Sequence, residues 1–542
     1  MASLQRKIVK GIEYWSIVES KRVNGKPRPI VVDYIGNRKK LLERLQNNDI
    51  RNNSIKSYVH GDTYCLMAIA RKLEVESLLD GIFGTQTIDG VKISTSFILA
   101  AVHRACRPGS KSEFEDWFKT TTLLLELGIK PRLLTSQFFW RQMDGISETA
   151  LMAAEDVVTK RILKEYEVEL DKLALDFTNY FTYIDTDNER NDLAKRGRNK
   201  QKRYDLRQCS LTVVTTRRAG IPLFSHVYEG NKNDQTAFKE YLPILERRMP
   251  DCNLSDITLI FDGGGVTKKN MESLKTRYIC SFSLSYCKEL YEIDIDNYEE
   301  IKIDGQVVKY HRTTKSIWGK IRTCVLTFSQ ELYKGQEREL NENIAKTIKQ
   351  LEELNERINN INSRIDKTED GIAKRIKQIL KLKYIAGIVS VEFKNNRVIY
   401  VVCDVNKVEL MEKKFGKKLT ITDCDDWTTE EILQAYYEQD CIEKIFRDTK
   451  NVEHFSIRPM FHWTDQKIRV HIFICLLGLT LTSVLQKELS NNGISISKNR
   501  LLETLSLIRQ CWVKDSFSNK VERVLEEMDA TQSELWAVIS NI

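Results

Sequence analysis

Ile257-Thr-Leu-Ile-Phe-Asp262 is an unbroken apolar run closed by one acid and followed by Gly263, Gly264 and Gly265. A strand apolar on both faces needs cover on both faces, which is the situation of a central parallel strand. The run therefore predicts an α/β core. A second run, Leu173-Ala-Leu-Asp176-Phe-Thr-Asn, reads as another buried strand. In open α/β sheets ligands gather outside the strand ends, so both aspartates stand where chemistry is done. The three glycines lack the Lys-Ser/Thr that completes a phosphate-binding loop and read as backbone freedom beside a site.

A third acid comes from the pattern Tyr436-x2-Gln439-x3-Glu443-x6-Lys450. At roughly 100° per residue, these offsets fall within about 60° of one another on a helix. One stripe then presents a phenol, an amide, a carboxylate and an ammonium, while Ile442, Ile445 and Phe446 form an adjacent apolar stripe that holds the helix on a core. Asp176, Asp262 and Glu443, from two strands and a distant helix, form a set able to hold two divalent cations about 3.5–4 Å apart, a geometry that activates the attacking oxygen and stabilises the leaving oxygen of a phosphodiester. Oxygen-only ligands favour Mg²⁺, with Mn²⁺ as a substitute, over zinc.

With these residues in place the chain resembles the bacterial insertion-sequence transposases of the DDE class, in the group marked by a Tyr-Arg-Glu-Lys helix motif. The resemblance covers nearly the whole chain and is strongest over residues 170–285 and 425–485. Glu229-Gly230-Asn231-x2-Asp234, and Arg458-Pro459 with His471, also look like that group. Gln439 stands where the name-giving arginine would be, and an amide makes a weaker phosphate contact than a guanidinium. The resemblance implies a multidomain α/β chain whose ribonuclease H-like mixed-sheet catalytic core is interrupted by a large α+β insertion and preceded by a mostly helical N-terminal domain. It implies catalysis and metal binding by Asp176, Asp262 and Glu443, with phosphate contacts from Lys450, Tyr436 and Gln439. The implied reaction is metal-dependent nicking of element ends followed by attack of the released 3′ hydroxyl on target DNA. Its partners are double-stranded terminal inverted repeats and target DNA, handled by a homodimer.

Composition fits such an enzyme without demanding it. The 542 residues are 42% hydrophobic and 30% charged, with a net charge of +8. Twelve cysteines show no Cys-x2-Cys pair and no clustering with the seven histidines, which argues against structural zinc and for reduced thiols. The start, Met1-Ala-Ser-Leu-Gln-Arg-Lys, has no apolar signal segment. Residues 472–485 are apolar but shorter than the ~20 residues needed to span a bilayer, and read as a buried core helix. The expectation is a cytoplasmic, nucleoid-associated bacterial protein with no membrane partner.

Along the chain, residues 1–58 read as a basic β-hairpin region turning at Asn24-Gly25. Residues 59–170 read as a helical domain that binds DNA ends, with helices beginning in 111–118 and 136–143. Residues 171–285 and 429–489 are the two parts of the core, with strands at 208–216, 222–229 and 278–284 and a helix from Thr236. The first part holds the densest basic run, Lys195, Arg196, Arg198, Lys200, Lys202 and Arg203, suited to guiding a phosphate backbone. Residues 286–428 form the insertion. Leu340, Ile344, Leu351, Leu354, Ile358, Ile361, Ile365 and Ile372 give it a heptad seam, read first as intramolecular packing, and 306–310, 321–329 and 397–404 read as strands. Residues 490–542 read as helical.

Three rivals stay open on the sequence. A metal-dependent nuclease would cut without joining. An aspartate-nucleophile phosphohydrolase, which Asp176-x-Thr178 weakly resembles, would have no use for Glu443. A catalytically inactive DNA-binding relic would bind ends without cutting them.

Overall fold

The computed structural model describes residues 2–23, 26–46, 54–185, 187–199, 201–217, 219–250, 252–395, 397–402, 405–514 and 521–542. The chain divides into two compact units: Met1–Cys65 with Glu115–Pro131 and Leu502–Asn541, and Leu66–Phe114 with Arg132–Leu501.

The larger unit is built on a nine-stranded mixed sheet. In chain order its strands are β1 (Lys172–Thr182), β2 (Arg207–Thr216), β3 (Pro222–Glu229), β4 (Thr258–Phe261), β5 (Arg277–Phe282), β6 (Glu299–Ile303), β7 (Gln306–Ile317), β8 (Lys320–Phe328) and β9 (Lys417–Thr422). In space the order is β6-β7-β8-β9-β5-β4-β1-β2-β3. β1, β4 and β5 run parallel, and β2 and β3 continue the sheet antiparallel on the other side of β1. The apolar run predicts this position for β4: all four of its residues are buried, as a central strand requires. β2 is buried along nine of its ten residues, and its Thr-Val-Val-Thr-Thr segment supplies the β-branched side chains that pack well on a pleated surface. β6 to β9 come from the segment expected as an insertion. β9 pairs antiparallel with β5 and β8 with β9, so that segment extends the sheet at its parallel edge.

The heptad residues pack within the chain. Helix Gln330–Asn359 buries Leu340, Leu351, Leu354 and Ile358 against Ile372 of helix Glu369–Ile379 and Val389 and Val398 of the hairpin Val389–Lys394/Arg397–Val402. Ile361 departs from the expected seam. The helix ends at Asn359, and Ile361 lies beyond it, 94% exposed. Of the strand expected at 397–404, residues 403 and 404 lie outside the described residues.

On the β3 side of the sheet, helices Glu148–Glu165 and Asp465–Asn491 cover the strand. The second is 27 residues, longer than the apolar stretch suggests, and by length and composition it could cross a membrane. Its apolar residues are buried inside the unit, so it is a core helix here. It crosses helix Ile93–Cys106 closely at Gly478, where a Cβ would strike the Ala101 carbonyl oxygen. Gly478→Ala is expected to lower stability by roughly 2 kcal/mol through overpacking against backbone that cannot rotate away. Denaturant unfolding checks this, and an unchanged midpoint would show that the crossing relaxes freely.

The smaller unit corrects two expectations. The basic N-terminal region is a three-stranded antiparallel sheet, Ala2–Val9, Ile12–Val23 and Lys26–Asn37, rather than a lone hairpin. The Asn24-Gly25 turn itself lies outside the described residues. The C-terminal region is not wholly helical: Arg509–Lys514 pairs with Val521–Leu525 and with Ser54–Val59. The edge-to-face contact of Tyr58 with Trp512 and the Arg523 guanidinium over the Trp512 ring show what a strand gains there.

Candidate active site

Leu175 and Phe261 are register partners on the parallel strands β1 and β4. The next residues, Asp176 and Asp262, therefore stand side by side on strands ~4.8 Å apart and face the same way. β1 is fully buried at Leu173, Ala174 and Leu175 and becomes partly exposed from Asp176 to Asn179, so the acid sits where the strand emerges from the core. Asp262 follows β4 with extended backbone and does not cap the turn after it. Its Oδ1 instead lies 3.4 Å from the Tyr436 hydroxyl, which donates to it. Burial, then the Asp262 charge, pushes the Tyr436 phenol far above its ordinary range, so it remains a donor.

The glycines after Asp262 permit close approach rather than an unusual backbone. A Cβ on Gly265 would meet the Phe238 ring at 2.7 Å, and one on Gly264 would come 2.9 Å from Asp234 Oδ2. Asp234 opens helix Asp234–Arg248, whose N-cap Asn233 accepts from Thr236 N at 2.9 Å.

The motif does not lie on one helix. Thr429–Tyr437 and Asp440–Asp448 are separate helices joined through Glu438 and Gln439. At the joint, Gln439 N bonds Tyr436 O and Cys441 N bonds Glu438 O, so the spacing shortens to three residues. Glu438 is held there by Arg217 at 2.6 Å. The second helix buries Ile442, Ile445 and Phe446, while Glu443 is exposed. Its end is anchored to β1: buried Tyr180 and Thr449 share a 2.6 Å hydrogen bond, and Lys450 Nζ donates to Thr178 Oγ1.

One cavity of about 550 Å³ is lined by Asp176, Asp262 and Glu443 together with Asp234, Arg447 and Lys450. Arg447 was not expected, and Asp234 was singled out only within the stretch Glu229-Gly230-Asn231-x2-Asp234, with no role in the site. Asp234 stands at a helix start where any acid would be favourable, but Arg447 had a signal, lying four residues after Glu443 on the same helical face. Tyr436 borders the site through Asp262. Gln439 is buried at the joint and is absent from the cavity wall.

The basic loop between β1 and β2 does not line the cavity either. Lys195 pairs with Asp192 at 2.9 Å, and Arg203 grips Asp205 through two hydrogen bonds of 2.9 and 2.7 Å. Arg196, Arg198 and Lys202 lie in the same loop, and Lys200 is outside the described residues. Arg207 holds this loop together by donating to the carbonyls of Ala194, Asn188 and Asn191.

The acids that line the cavity offer hard oxygen donors, with no thiol or imidazole among them, and this suits Mg²⁺ or Mn²⁺ in kind. Among the described residues no three such groups already converge to hold an ion. Mg²⁺ does not require that, because it usually binds through one or two carboxylates, waters and substrate phosphates.

No family model and no curated protein matches the chain. Among solved structures it is similar to piggyBac transposase, seen by cryo-EM in a synaptic complex with hairpin DNA. The identity is 9% and the TM-score 0.34, over 85% of this chain and 80% of that one. A likeness that weak carries no argument about activity.

Proposed function

We propose that the protein is a DNA transposase of the DDE class, cutting element ends and joining them to target DNA on a ribonuclease H-like core. The observation that carries this reading is the joining of acids from β1, the end of β4 and helix Asp440–Asp448 in one cavity that also holds Arg447 and Lys450. The fold reading leans on the parallel β1, β4 and β5 with β2 and β3 antiparallel beyond them. Asp176 and Asp262 would hold the divalent cations, with Glu443 completing the set. When bound, such a pair supplies activation of the attacking oxygen and charge stabilisation of the leaving one.

The chain's own residues set the rest. Glu443, exposed on a helix fixed by its apolar stripe, is placed to orient and deprotonate the attacking water or 3′ hydroxyl. Lys450, steadied by Thr178, and Arg447 offer charge to the scissile phosphate. Tyr436 fixes Asp262 through its hydrogen bond.

The test is Mg²⁺-dependent cleavage and joining of a fragment carrying the ends that flank the encoding element. Cleavage with strand transfer supports the reading. Cleavage without joining makes the protein a nuclease, and binding with neither makes it a relic. Asp234→Asn is expected to slow cleavage about tenfold through the loss of a carboxylate that supports the first acids. Single-turnover cleavage rates check this, and a rate equal to wild type would confine Asp234 to favouring the dipole of the helix it opens.

A further inference from the structure

A second cavity, of about 520 Å³, lies in the larger unit and shares no lining residue with the acid site. Helix Ile93–Cys106 contributes His103 and Arg104, the following loop Lys111, and the segment after Lys450 contributes Arg458, His462 and His471. That segment is locked to the helix: Phe455 N donates to the Arg104 carbonyl at 2.9 Å and His454 Nδ1 to that of Ala105 at 3.0 Å. Phe114, Phe139 and Trp140 supply apolar wall, and exposed Phe461 and Val452 belong to the same lining.

The charge in this wall is one-sided. Arg104 is only 8% exposed, and among the described residues no carboxylate lies within ion-pair distance of Arg104 or Lys111. Glu113, the one acid in the lining, is turned towards Gly109. Burial, reinforced by Arg104 and Lys467, lowers Lys111 to about 8. Burial and neighbouring cations hold His103 at about 3 and His462 and His471 well below the ordinary range, so the imidazoles are neutral.

The hydrogen bonds are equally one-sided. Arg104 spends Nη1 on the Gly109 carbonyl at 2.9 Å, and beyond the buried Cys475 thiol beside it, its Nε and Nη2 have no acceptor. Lys111 Nζ lies 2.9 Å from His462 Nε2. An ammonium can only donate, so Nε2 accepts and Nδ1 carries the hydrogen. That Nδ1 is also buried without a partner. Three donors of two residues in one wall are thus left without an oxygen acceptor, beside two cations that no carboxylate balances, Lys111 lying over the Trp140 ring; an anion is the partner that such a wall lacks.

We propose that this cavity binds a small phosphate monoester carried on an apolar or aromatic body, either a free mononucleotide or the phosphorylated terminal nucleotide of a DNA strand. A guanidinium fork with an adjacent ammonium matches a phosphate head, and a mostly apolar pocket of this size matches a nucleoside-sized body. The proposal stands apart from the reading of the acid site.

The probes are AMP, inorganic phosphate, and a short duplex with or without a 5′ phosphate, titrated calorimetrically against the full chain. Arg104→Met and Lys111→Met, on different segments, are each expected to weaken binding about tenfold to a hundredfold. AMP binding lost in the variants assigns the site to a free nucleotide. Binding of the phosphorylated duplex alone, lost in the same variants, assigns it to a strand end. No saturable binding of AMP or phosphorylated duplex at millimolar concentration overturns the proposal, as does binding that both variants leave intact. Should Arg104→Met fail to fold, Lys111→Met decides alone.

Discussion

Glu443→Gln is expected to slow end cleavage and joining about 10³-fold or more while leaving DNA binding and the melting temperature intact. Glutamine keeps the shape of the side chain and removes only its charge and basicity. Glu443 is exposed on a helix whose hold on the sheet comes from Ile442, Ile445, Phe446 and Thr449, none of which the substitution touches. Exposed substitutions of this kind change stability by about 0.5 kcal/mol or less. Removing an acid from a wall that receives phosphate should keep or strengthen DNA binding. Loss of a positioned general base alone costs about 10²–10⁴ in rate, and loss of a metal ligand adds to it. Asp176→Asn should behave alike, since asparagine can still accept the 2.7 Å hydrogen bond that Asp176 takes from Phe177 N. Cleavage rates on end-bearing DNA, measured beside binding by the same preparations, read the effect. Mutants that cut within tenfold of wild type would move the chemistry out of this cavity.

The sequence carried what depends on local pattern. β1 and β4 were legible because strands buried on both faces need continuous apolar runs, and the heptad residues because one helix repeats its buried face. That the two strands pair in parallel and set Asp176 beside Asp262 was written in neither run. The joint at Glu438 and Gln439 was not legible, since neither glycine nor proline marks it. The ion pair that accompanies it brings in Arg217, remote in sequence, on the Glu438 carboxylate. Strand Arg509–Lys514 was hidden for the same reason: its partner Ser54–Val59 lies at the other end of the chain. In the basic run between β1 and β2 it was the internal pairing that stayed hidden. The run's charge was plain, but Asp192 and Asp205 engage Lys195 and Arg203, and Arg207 is spent on the loop's own carbonyls.

Arg447→Ala is expected to slow cleavage about a hundredfold, whereas Gln439→Ala should change it by no more than about threefold. The motif resemblance would place the phosphate-binding guanidinium at 439, yet Gln439 is buried at the helix joint and absent from the cavity wall. Arg447, one helical turn beyond Glu443, lines that wall. A guanidinium one turn after the acid can reach the same phosphate that one turn before it would serve, because residues four apart share a helix face. Charge-assisted hydrogen bonds contribute up to ~3 kcal/mol, which is about a hundredfold in rate when made in the transition state. Arg447→Lys should recover only part of the loss, since an ammonium cannot grip two phosphate oxygens in the planar fork. Gln439→Arg sharpens the comparison: the new guanidinium would enter a buried joint beside the Arg217–Glu438 ion pair, so lost stability rather than gained rate is expected. Single-turnover rates and melting curves for the four variants decide between the positions. A rate gain from Gln439→Arg with an indifferent Arg447→Ala would return the phosphate contact to 439 and leave Arg447 a solvated end of its helix.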